Sequence, residues 1–171
     1  MPLMIDGYNL LHHSGLLPKR LGPGGLERAR RALLGRLAGQ LTPEEAADTT
    51  IVFDAKETPR DHEHDLQIQG IRVLYAVGYE DADELLEELI RRAPTPRKLL
   101  VVSSDLRVQR AAKRRRAHWE ASDSWWESLN QRSRTPASPP PRENSEKPDS
   151  LTDEVDVDYW LRNFGFEPPD D

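Results

Sequence analysis

The chain has 171 residues, no cysteine, 36% hydrophobic residues and a formal net charge of -6. This length supports one domain with a sizeable core, and the lack of cysteine excludes disulfide scaffolds, thiolate zinc sites and cysteine nucleophiles, which favours a cytoplasmic setting. No apolar run approaches the roughly 18 to 20 residues of a membrane helix, and the N-terminus has no basic signal sequence, so neither a membrane partner nor targeting is expected.

The charge is divided unevenly along the chain. Residues 1–134 hold 21 Lys and Arg against 20 Asp and Glu, whereas residues 135–171 hold 3 against 10. The two parts therefore carry +1 and -7. A negative total argues against a nucleic-acid partner, because phosphate binding relies on clustered cations, but this argument does not apply to the first part alone.

Short apolar runs alternate with helical periodicity over residues 1–134, which is the pattern of βαβ units around a mostly parallel sheet. Strands are predicted at residues 3–5, 50–53, 71–77 and 99–102, with a short fifth strand near 118–121. Helices are predicted at residues 26–41, 81–92, 106–116 and 123–131. The expected fold is an α/β domain with a mostly parallel central sheet.

A polar segment follows this domain. Residues 135–150 are rich in Pro, Ser and charge, which predicts a disordered linker before an acidic tail at residues 151–171. Apolar side chains recur at helical spacing in the tail: Val155, Tyr159 or Trp160, Leu161 and Phe164. This pattern predicts a short amphipathic helix, which could dock on the chain's own basic surface or on a protein partner.

Aspartates directly follow three of the predicted strands, at Asp6, Asp54 and Asp105. Four more acids lie where the chain passes from the third predicted strand into the next helix: Glu80, Asp81, Asp83 and Glu84. Because the carboxyl ends of parallel strands open onto one edge of a sheet, we expect these acids to converge there.

Each single aspartate is explained more simply as a cap of the following helix. Several crowded carboxylates, however, repel one another and call for a compensating cation. Mg²⁺ or Mn²⁺ suits such oxygen ligands and can generate a hydroxide nucleophile for phosphodiester hydrolysis. The pattern therefore predicts a divalent-metal site at this edge.

Four segments resemble the YacP-type NYN domain family of PIN-like nucleases: IDGYNLL at residues 5–11, VFDA at 52–55, GYEDADELLEELI at 78–90 and VVSSD at 101–105. The resemblance covers about residues 1–131 and leaves the tail outside. It implies a PIN-like three-layer sandwich and a metal-dependent endoribonuclease that hydrolyses single-stranded RNA in RNA processing or decay, with Mg²⁺ or Mn²⁺ as cofactor. RNA is then the expected partner, and the ribosome or the RNA-decay machinery are further candidates.

The resemblance also assigns four catalytic positions: Asp6, Asn9, Asp83 and Asp105. It implies that the three aspartates hold the metal and that Asn9 orients ligands or substrate.

Other site positions remain open. Glu80 matches a family glutamate and is a further candidate metal ligand, whereas Asp81 replaces a family threonine, so the choice among Glu80, Asp81 and Asp83 is not decided. Ser104 is expected to bond a carboxylate or a phosphate. Asp54 either supports the metal ligands or only ends its strand.

The DGYN segment also predicts a local bend without reference to the family. Gly7 permits a backbone turn between Asp6 and Asn9 that a β-branched residue would resist. Tyr8 either packs beneath this turn, which we favour, or stacks on a base.

Six cations lie within ten residues after Asp105, and four of them are predicted to bind RNA: Arg107, Arg110, Lys113 and Arg114. The alternative is a solvated helix face. Trp119, Trp125 and Trp126 follow, and they either stack on bases or pack in the core, with at least two expected in the core.

Three weaker motifs have simpler explanations. GPGG at residues 22–25 is interpreted as a turn before a helix, and DHEHD at residues 61–65 as a charged loop in preference to a zinc site. His12 and His13 lie near Asn9 and are candidates for proton transfer, but the simpler interpretation is that they are loop histidines without such a role.

A function of another class fits the same residues. The chain would then be a catalytically inert RNA-binding or adaptor module that acts through its C-terminal tail. Such a module would bind RNA with salt-sensitive affinity but would not turn it over with Mg²⁺ or Mn²⁺.

Overall fold

A computed structural model describes residues 1–132 except residues 19, 21 and 56–63. The predicted linker at 135–150 and the predicted tail helix in 151–171 lie outside the described residues. Among the helices that the structure describes, none is long and apolar enough to cross a membrane.

The described strands form one six-stranded sheet with the order β3-β4-β2-β1-β5-β6. They are β1 (Leu3–Asp6), β2 (Thr49–Phe53), β3 (Asp65–Ile68), β4 (Ile71–Tyr75), β5 (Leu100–Val102) and β6 (His118–Glu120). All neighbouring strands pair in parallel except β3, which runs antiparallel to β4 at one edge. The predicted α/β fold with a mostly parallel sheet is confirmed.

Helices cover both faces of the sheet. They are α1 (Gly7–His13), α2 (Gly25–Ala38), α3 (Pro43–Ala47), α4 (Ala82–Arg92), α5 (Leu106–Arg115) and α6 (Ser122–Arg132), with a short 3-10 helix at Pro96–Lys98. Residues of α1, α2, α3 and α6 share a core with Ile5 and Phe53 on one face. Residues of α4 and α5 share a second core with Met4 and Val52, whose side chains point to the other face.

The sequence patterns missed α1, α3 and β3. Helix α3 spans only five residues, yet Thr42 and Glu45 form a reciprocal capping box at its start. Strand β3 joins β4 through a two-residue turn at Gln69 and Gly70, with φ angles of 52° and 85°. Both residues of this turn need positive φ, so it belongs to the tight hairpin class in which Asn-Gly is the usual sequence signal.

Strand β1 pairs with β2 on one side and with β5 on the other, and the connections to these two strands lie on opposite faces of the sheet. The connection from β1 to β2 runs through α1, α2 and α3, whereas β5 is reached through α4 on the opposite face. A crevice opens at the carboxyl ends of two parallel strands where such connections diverge. The fold therefore places a crevice beyond the ends of β1 and β5.

Candidate acidic site

A pocket of about 240 Å³ lies at this edge of the sheet, and we call it the acidic pocket. Its lining residues are Asp6, Tyr8, Asn9, His12, Asp54, Asp81, Ala82, Asp83 and Asp105. Five aspartates from the ends of three strands and the start of one helix thus meet in one place, as expected from the strand ends.

Asp6 is the last residue of β1 and only 5% of its surface is exposed. It caps α1, because its Oδ1 accepts a hydrogen bond from the backbone N–H of Asn9 at 3.1 Å. Its Oδ2 accepts a hydrogen bond from Ser103 Oγ at 2.9 Å. Burial raises the pKa of this carboxyl, and the charge of Asp105 adds to the rise, while the two hydrogen bonds oppose it.

Gly7 is required for packing and not for a bend. It is the first residue of α1, and a Cβ atom added there would lie 2.4 Å from Cε1 of Phe53 and 2.8 Å from the carbonyl oxygen of Val52. The prediction that DGYN forms a turn is therefore wrong, because a helix begins directly after the strand. Tyr8 is half-buried, packs edge-on against Phe53 with ring centroids 5.5 Å apart, and also lines the acidic pocket.

Asn9 connects α1 to the loop that follows β5. Its side-chain Oδ1 accepts a hydrogen bond from the backbone N–H of Ser104 at 3.0 Å. This contact fixes the position of the loop that holds Asp105 relative to Asp6. The amide oxygen of Asn9 therefore already has a partner within the protein, and its role in orienting ligands or substrate stays a prediction.

Ser103 holds two of the aspartates together, and the sequence analysis did not single it out. Its buried hydroxyl donates to Asp6 Oδ2 and accepts from the backbone N–H of Asp105 at 3.0 Å. Ser104, which was predicted to bond a carboxylate or phosphate, instead accepts a hydrogen bond from the backbone N–H of Ser122 at 3.0 Å. The two serines are identical in sequence terms, so the sequence could not predict which hydroxyl bonds Asp6. Their partners differ because their side chains point in different directions after β5.

Asp83 lies in the first turn of α4 and is half-buried. Burial raises its pKa from 3.8 to about 6, and the charges of Asp6, Asp105 and Asp81 add to the rise, with Arg107 opposing it. The charges of the other carboxylates therefore favour a proton on Asp83, and this proton reduces the negative charge of the acidic pocket.

The other acids of this helix start have different surroundings. Asp81 caps α4 through a hydrogen bond from the backbone N–H of Glu84 at 2.8 Å and forms an ion pair with Arg107 at 3.2 Å. Glu80 is exposed and does not line the acidic pocket. The structure therefore brings Asp81 and Asp83 to the pocket but does not bring Glu80 there.

Asp105 and Asp54 complete the carboxylate set. Asp105 caps α5, because its Oδ1 accepts hydrogen bonds from the backbone N–H groups of Arg107 at 2.6 Å and Val108 at 3.4 Å. Asp54 directly follows β2, is half-buried and lines the acidic pocket. The simpler explanation as helix caps is thus correct for Asp6, Asp81 and Asp105, and it coexists with their convergence.

The donor set of the acidic pocket suits a hard divalent cation, because it offers several carboxylate oxygens. Burial raises the pKa of Asp83, and the charges of the other carboxylates raise it further. The side chains are not pre-assembled for such a cation. Within the part of the chain that the structure describes, no group of three or more His, Asp or Glu side chains stands close enough to hold a metal ion. The chemistry of the pocket nevertheless fits Mg²⁺ or Mn²⁺.

The predicted RNA-binding residues lie on α5, beside the acidic pocket. Arg107 and Arg114 both pair with Glu87 of α4, each at 3.3 Å. Arg110 is exposed, and Lys113 lies over the ring of Trp119 at 4.6 Å from its centroid. Two of the four cations thus already have an acidic partner on the neighbouring helix.

The structure describes most residues of the other motifs that the sequence analysis named. Trp125 and Trp126 pack in or against the core, as expected, while 37% of Trp119 is exposed. Gly24 caps α2 with a φ of 67°, which agrees with a turn before a helix. His12 lines the acidic pocket, and Asp65 of the DHEHD segment pairs with Arg72 at 2.6 Å. Residues 61–63 of that segment lie outside the described residues.

Comparisons with known proteins agree with the fold and with the family resemblance. Residues 3–160 match the model of the YacP-like NYN domain, so the match extends beyond the stretch of about 131 residues on which the resemblance was based. The fold is similar to the crystal structure of a mutant form of Rae1 (YacP) from Bacillus subtilis, with 25% identity, a TM-score of 0.59 and coverage of 78% of each chain. A second structure of Rae1 (YacP) from Bacillus subtilis has 22% identity, a TM-score of 0.57 and coverage of 78% of this chain and 76% of the other. No curated protein sequence matches the chain.

Proposed function

The chain belongs to the YacP-like NYN domain family, whose PIN-like domains generally act on nucleic acids, and we propose that it is a metal-dependent endoribonuclease that cleaves single-stranded RNA. The observation that carries this proposal is the convergence of Asp6, Asp83 and Asp105 in the acidic pocket. Both the repulsion among these carboxylates and the adjoining cations of α5 support it.

The proposed ligands are Asp6, Asp83 and Asp105, because each offers carboxylate oxygens to the same pocket. When bound, Mg²⁺ or Mn²⁺ supplies an activated water and neutralises charge on the phosphodiester group. Ser103 and Asn9 hold the two strand-end carboxylates in place through their hydrogen bonds.

The proposed RNA path follows α5. Arg107 lies in the first turn of this helix, beside the acidic pocket, and Arg110, Lys113 and Arg114 lie further along it. Residues spaced three and four apart lie on one side of a helix, so Arg107, Arg110 and Arg114 can contact successive phosphates. Phosphate contacts of this kind position the backbone without reading its sequence. The proposed enzyme would therefore have little base preference arising from α5.

Cleavage of a generic single-stranded RNA, with Mn²⁺ or with EDTA, tests the proposal. We expect the wild type to cleave only with metal, and Asp6→Asn and Asp105→Asn to lose cleavage. Asparagine can still cap either helix, so the fold should persist in both variants.

The matched control is Asp48→Asn, which changes an exposed carboxyl that precedes β2 at the opposite edge of the sheet. This variant should cleave like the wild type. Full activity of Asp6→Asn would contradict the proposed site, and metal-independent RNA binding without any turnover would favour the adaptor function instead.

A further inference from the structure

Trp119 of β6 is a large apolar side chain that belongs to neither core of the domain. It pairs in register with Val101 of β5, which lies in the core shared with α4 and α5, so both side chains point to that face of the sheet. Lys113 of α5 lies over the ring there, with its Nζ 4.6 Å from the ring centroid. The tryptophan is nevertheless 37% exposed, and β6 is the edge strand of the described sheet. Part of the ring is therefore open to solvent beside α5.

The cations of α5 next to this ring lack the acidic partners that other cations of the helix have. Arg107 and Arg114 both pair with Glu87 of α4. Lys113 instead contacts the tryptophan ring, and Arg110 lies one turn before it on the same side of the helix. Both are exposed, and neither forms an ion pair with another residue in the part of the chain that the structure describes. An anion can thus approach these two cations without displacing a carboxylate of that part.

This surface continues from the acidic pocket along α5. Asp105 lines the pocket and caps the helix, and Lys113 follows it by eight residues, which corresponds to about 12 Å along the helix axis. A strand whose phosphodiester lies in the pocket and which follows α5 would pass Arg110 before it reaches Lys113 and the tryptophan. The group that meets the ring would then belong to the same RNA, a few nucleotides from the reacting bond.

A nucleotide of single-stranded RNA offers both groups that this surface can bind. Unpaired bases stack on exposed aromatic side chains whatever their sequence, and Lys and Arg neutralise the phosphates between them. An acidic peptide would satisfy the cations alone. Only a nucleic acid supplies a planar base for the ring together with a phosphodiester for the acidic pocket.

We propose that Arg110, Lys113 and Trp119 form a stacking site, in which one unpaired base of the RNA lies against Trp119 and the two cations hold the neighbouring phosphates. This inference rests on the proposed function, because it places the RNA substrate along α5. It assigns the preference for single strands to Trp119, because a base inside a duplex is covered by its neighbours and cannot reach the ring.

The test compares two ligands in EDTA by fluorescence anisotropy. One is a short single-stranded RNA, and the other is a strand of the same length and charge that carries abasic positions in place of its bases. Trp119→Leu should raise Kd for the ordinary strand about tenfold and should leave Kd for the abasic strand within about twofold. Trp119→Phe keeps an aromatic ring and should recover part of the lost affinity.

The cations are tested by the salt dependence of binding. Arg110→Met and Lys113→Met should each weaken both strands alike and reduce the slope of log Kd against log salt by about 0.7, the value for one phosphate of a single strand. Trp119→Leu should leave this slope unchanged. Arg31→Met is the control, because it removes a cation that is 77% exposed on α2, which packs on the other face of the sheet. It should leave Kd for both strands within about twofold of the wild type.

Several results would overturn the inference. An unchanged Kd of Trp119→Leu for the ordinary strand would leave the exposed ring to a protein partner. An equal loss of affinity for the ordinary and the abasic strand would show that Trp119 supports α5 and does not stack on a base. Salt slopes that Arg110→Met and Lys113→Met do not change would show that these cations hold no phosphate.

The proposed function can fail separately from this inference. Wild-type protein that binds RNA but never cleaves it with Mn²⁺ would remove the endoribonuclease, while the comparison of ordinary and abasic strands in EDTA would still decide the role of Trp119. Wild-type protein that binds neither strand would remove both.

Discussion

Asp83 behaves differently from an ordinary surface carboxyl because it is partly buried and because the charges of three other aspartates act on it. Its pKa of about 6 means that the metal-free pocket holds a proton at mildly acidic pH, where an isolated aspartate would be ionised. A divalent cation would remove the need for this proton. Asp83 therefore links the stability of the protein to pH and, through the proposed metal site, to a divalent cation.

The pH dependence of stability follows in sign from this pKa. Folding raises the pKa of Asp83 from 3.8 to about 6, so the folded protein binds the proton more tightly than the unfolded chain does. The free energy of unfolding therefore falls as the pH rises through this window. Asp6, whose pKa burial also raises, contributes in the same direction. We expect Asp83→Asn to stabilise the metal-free protein near pH 7.5, on the order of 1 kcal/mol after allowance for its partial exposure.

Thermal unfolding in EDTA measures this effect at about pH 5, which lies within this window, and at about pH 7.5, which lies above it. The Tm difference between Asp83→Asn and the wild type should grow towards pH 7.5. Asp123→Asn is the control, because Asp123 is an exposed carboxyl in the first turn of α6. A Tm difference for Asp83→Asn that does not change with pH would contradict the expectation.

Helix α1 is held close to β2, and this contact sets the position of Asp6. The space between them is so small that a Cβ at Gly7 would lie 2.4 Å from the ring of Phe53. We expect Gly7→Ala to lower the free energy of unfolding by about 1–3 kcal/mol, because the ring or the helix must move. Urea unfolding measures the loss. Phe53→Leu in the Gly7→Ala background should recover part of it, and a double variant that is less stable than the sum of both single losses would contradict this explanation.

Helices α4 and α5 share a charged contact that would compete with RNA on the proposed path along α5. Glu87 pairs with both Arg107 and Arg114, so a phosphate that binds these arginines must displace its carboxylate. We expect Glu87→Gln to tighten RNA binding several-fold at low salt and to steepen the salt dependence, because roughly one more counterion is released on binding.

Anisotropy titrations over a range of salt concentrations test this, with Glu88→Gln as the matched control. Glu88 pairs with Arg91 and Arg92 on its own helix and contacts neither Arg107 nor Arg114 through an ion pair. This control should bind like the wild type. Equal affinity of wild type and Glu87→Gln at low salt would exclude α5 as the phosphate path.

How far the elements could be predicted depends on their length and partners. The strands β1, β2, β4 and β5 were predicted because each is a buried apolar run, and α4 because its apolar spacing is strongly periodic. Helix α1 was missed because it spans only seven residues and its buried face depends on Phe53, which is distant in sequence. Strand β3 was missed because it is short and partly exposed at the sheet edge.

The candidate site divides in the same way. Strand ends predicted the meeting of Asp6, Asp54 and Asp105, because topology alone brings parallel strands to one edge. The sequence could not predict that Glu80 lies outside the acidic pocket or that Ser103 bonds Asp6. Their roles depend on side-chain direction in loops, where spacing along the chain carries no such information.

The whole chain has a net charge of -6, whereas residues 1–134 alone have a net charge of +1. The negative charge of residues 135–171 weakens the attraction of any polyanion at low salt, wherever those residues lie. We expect a chain ending at residue 134 to bind RNA more tightly than the full chain at low salt, and equally at high salt. Unchanged affinity at low salt would contradict the expectation.

Asp6 and Asp105 start helices as well as lining the pocket, and this double use has an evolutionary consequence. Asparagine or serine would preserve either helix start. A lineage released from selection for catalysis could therefore lose the charge without losing the fold. Relatives that keep every core position but carry a neutral cap at the position of Asp6 or Asp105 would be recognisable from sequence as degenerate enzymes.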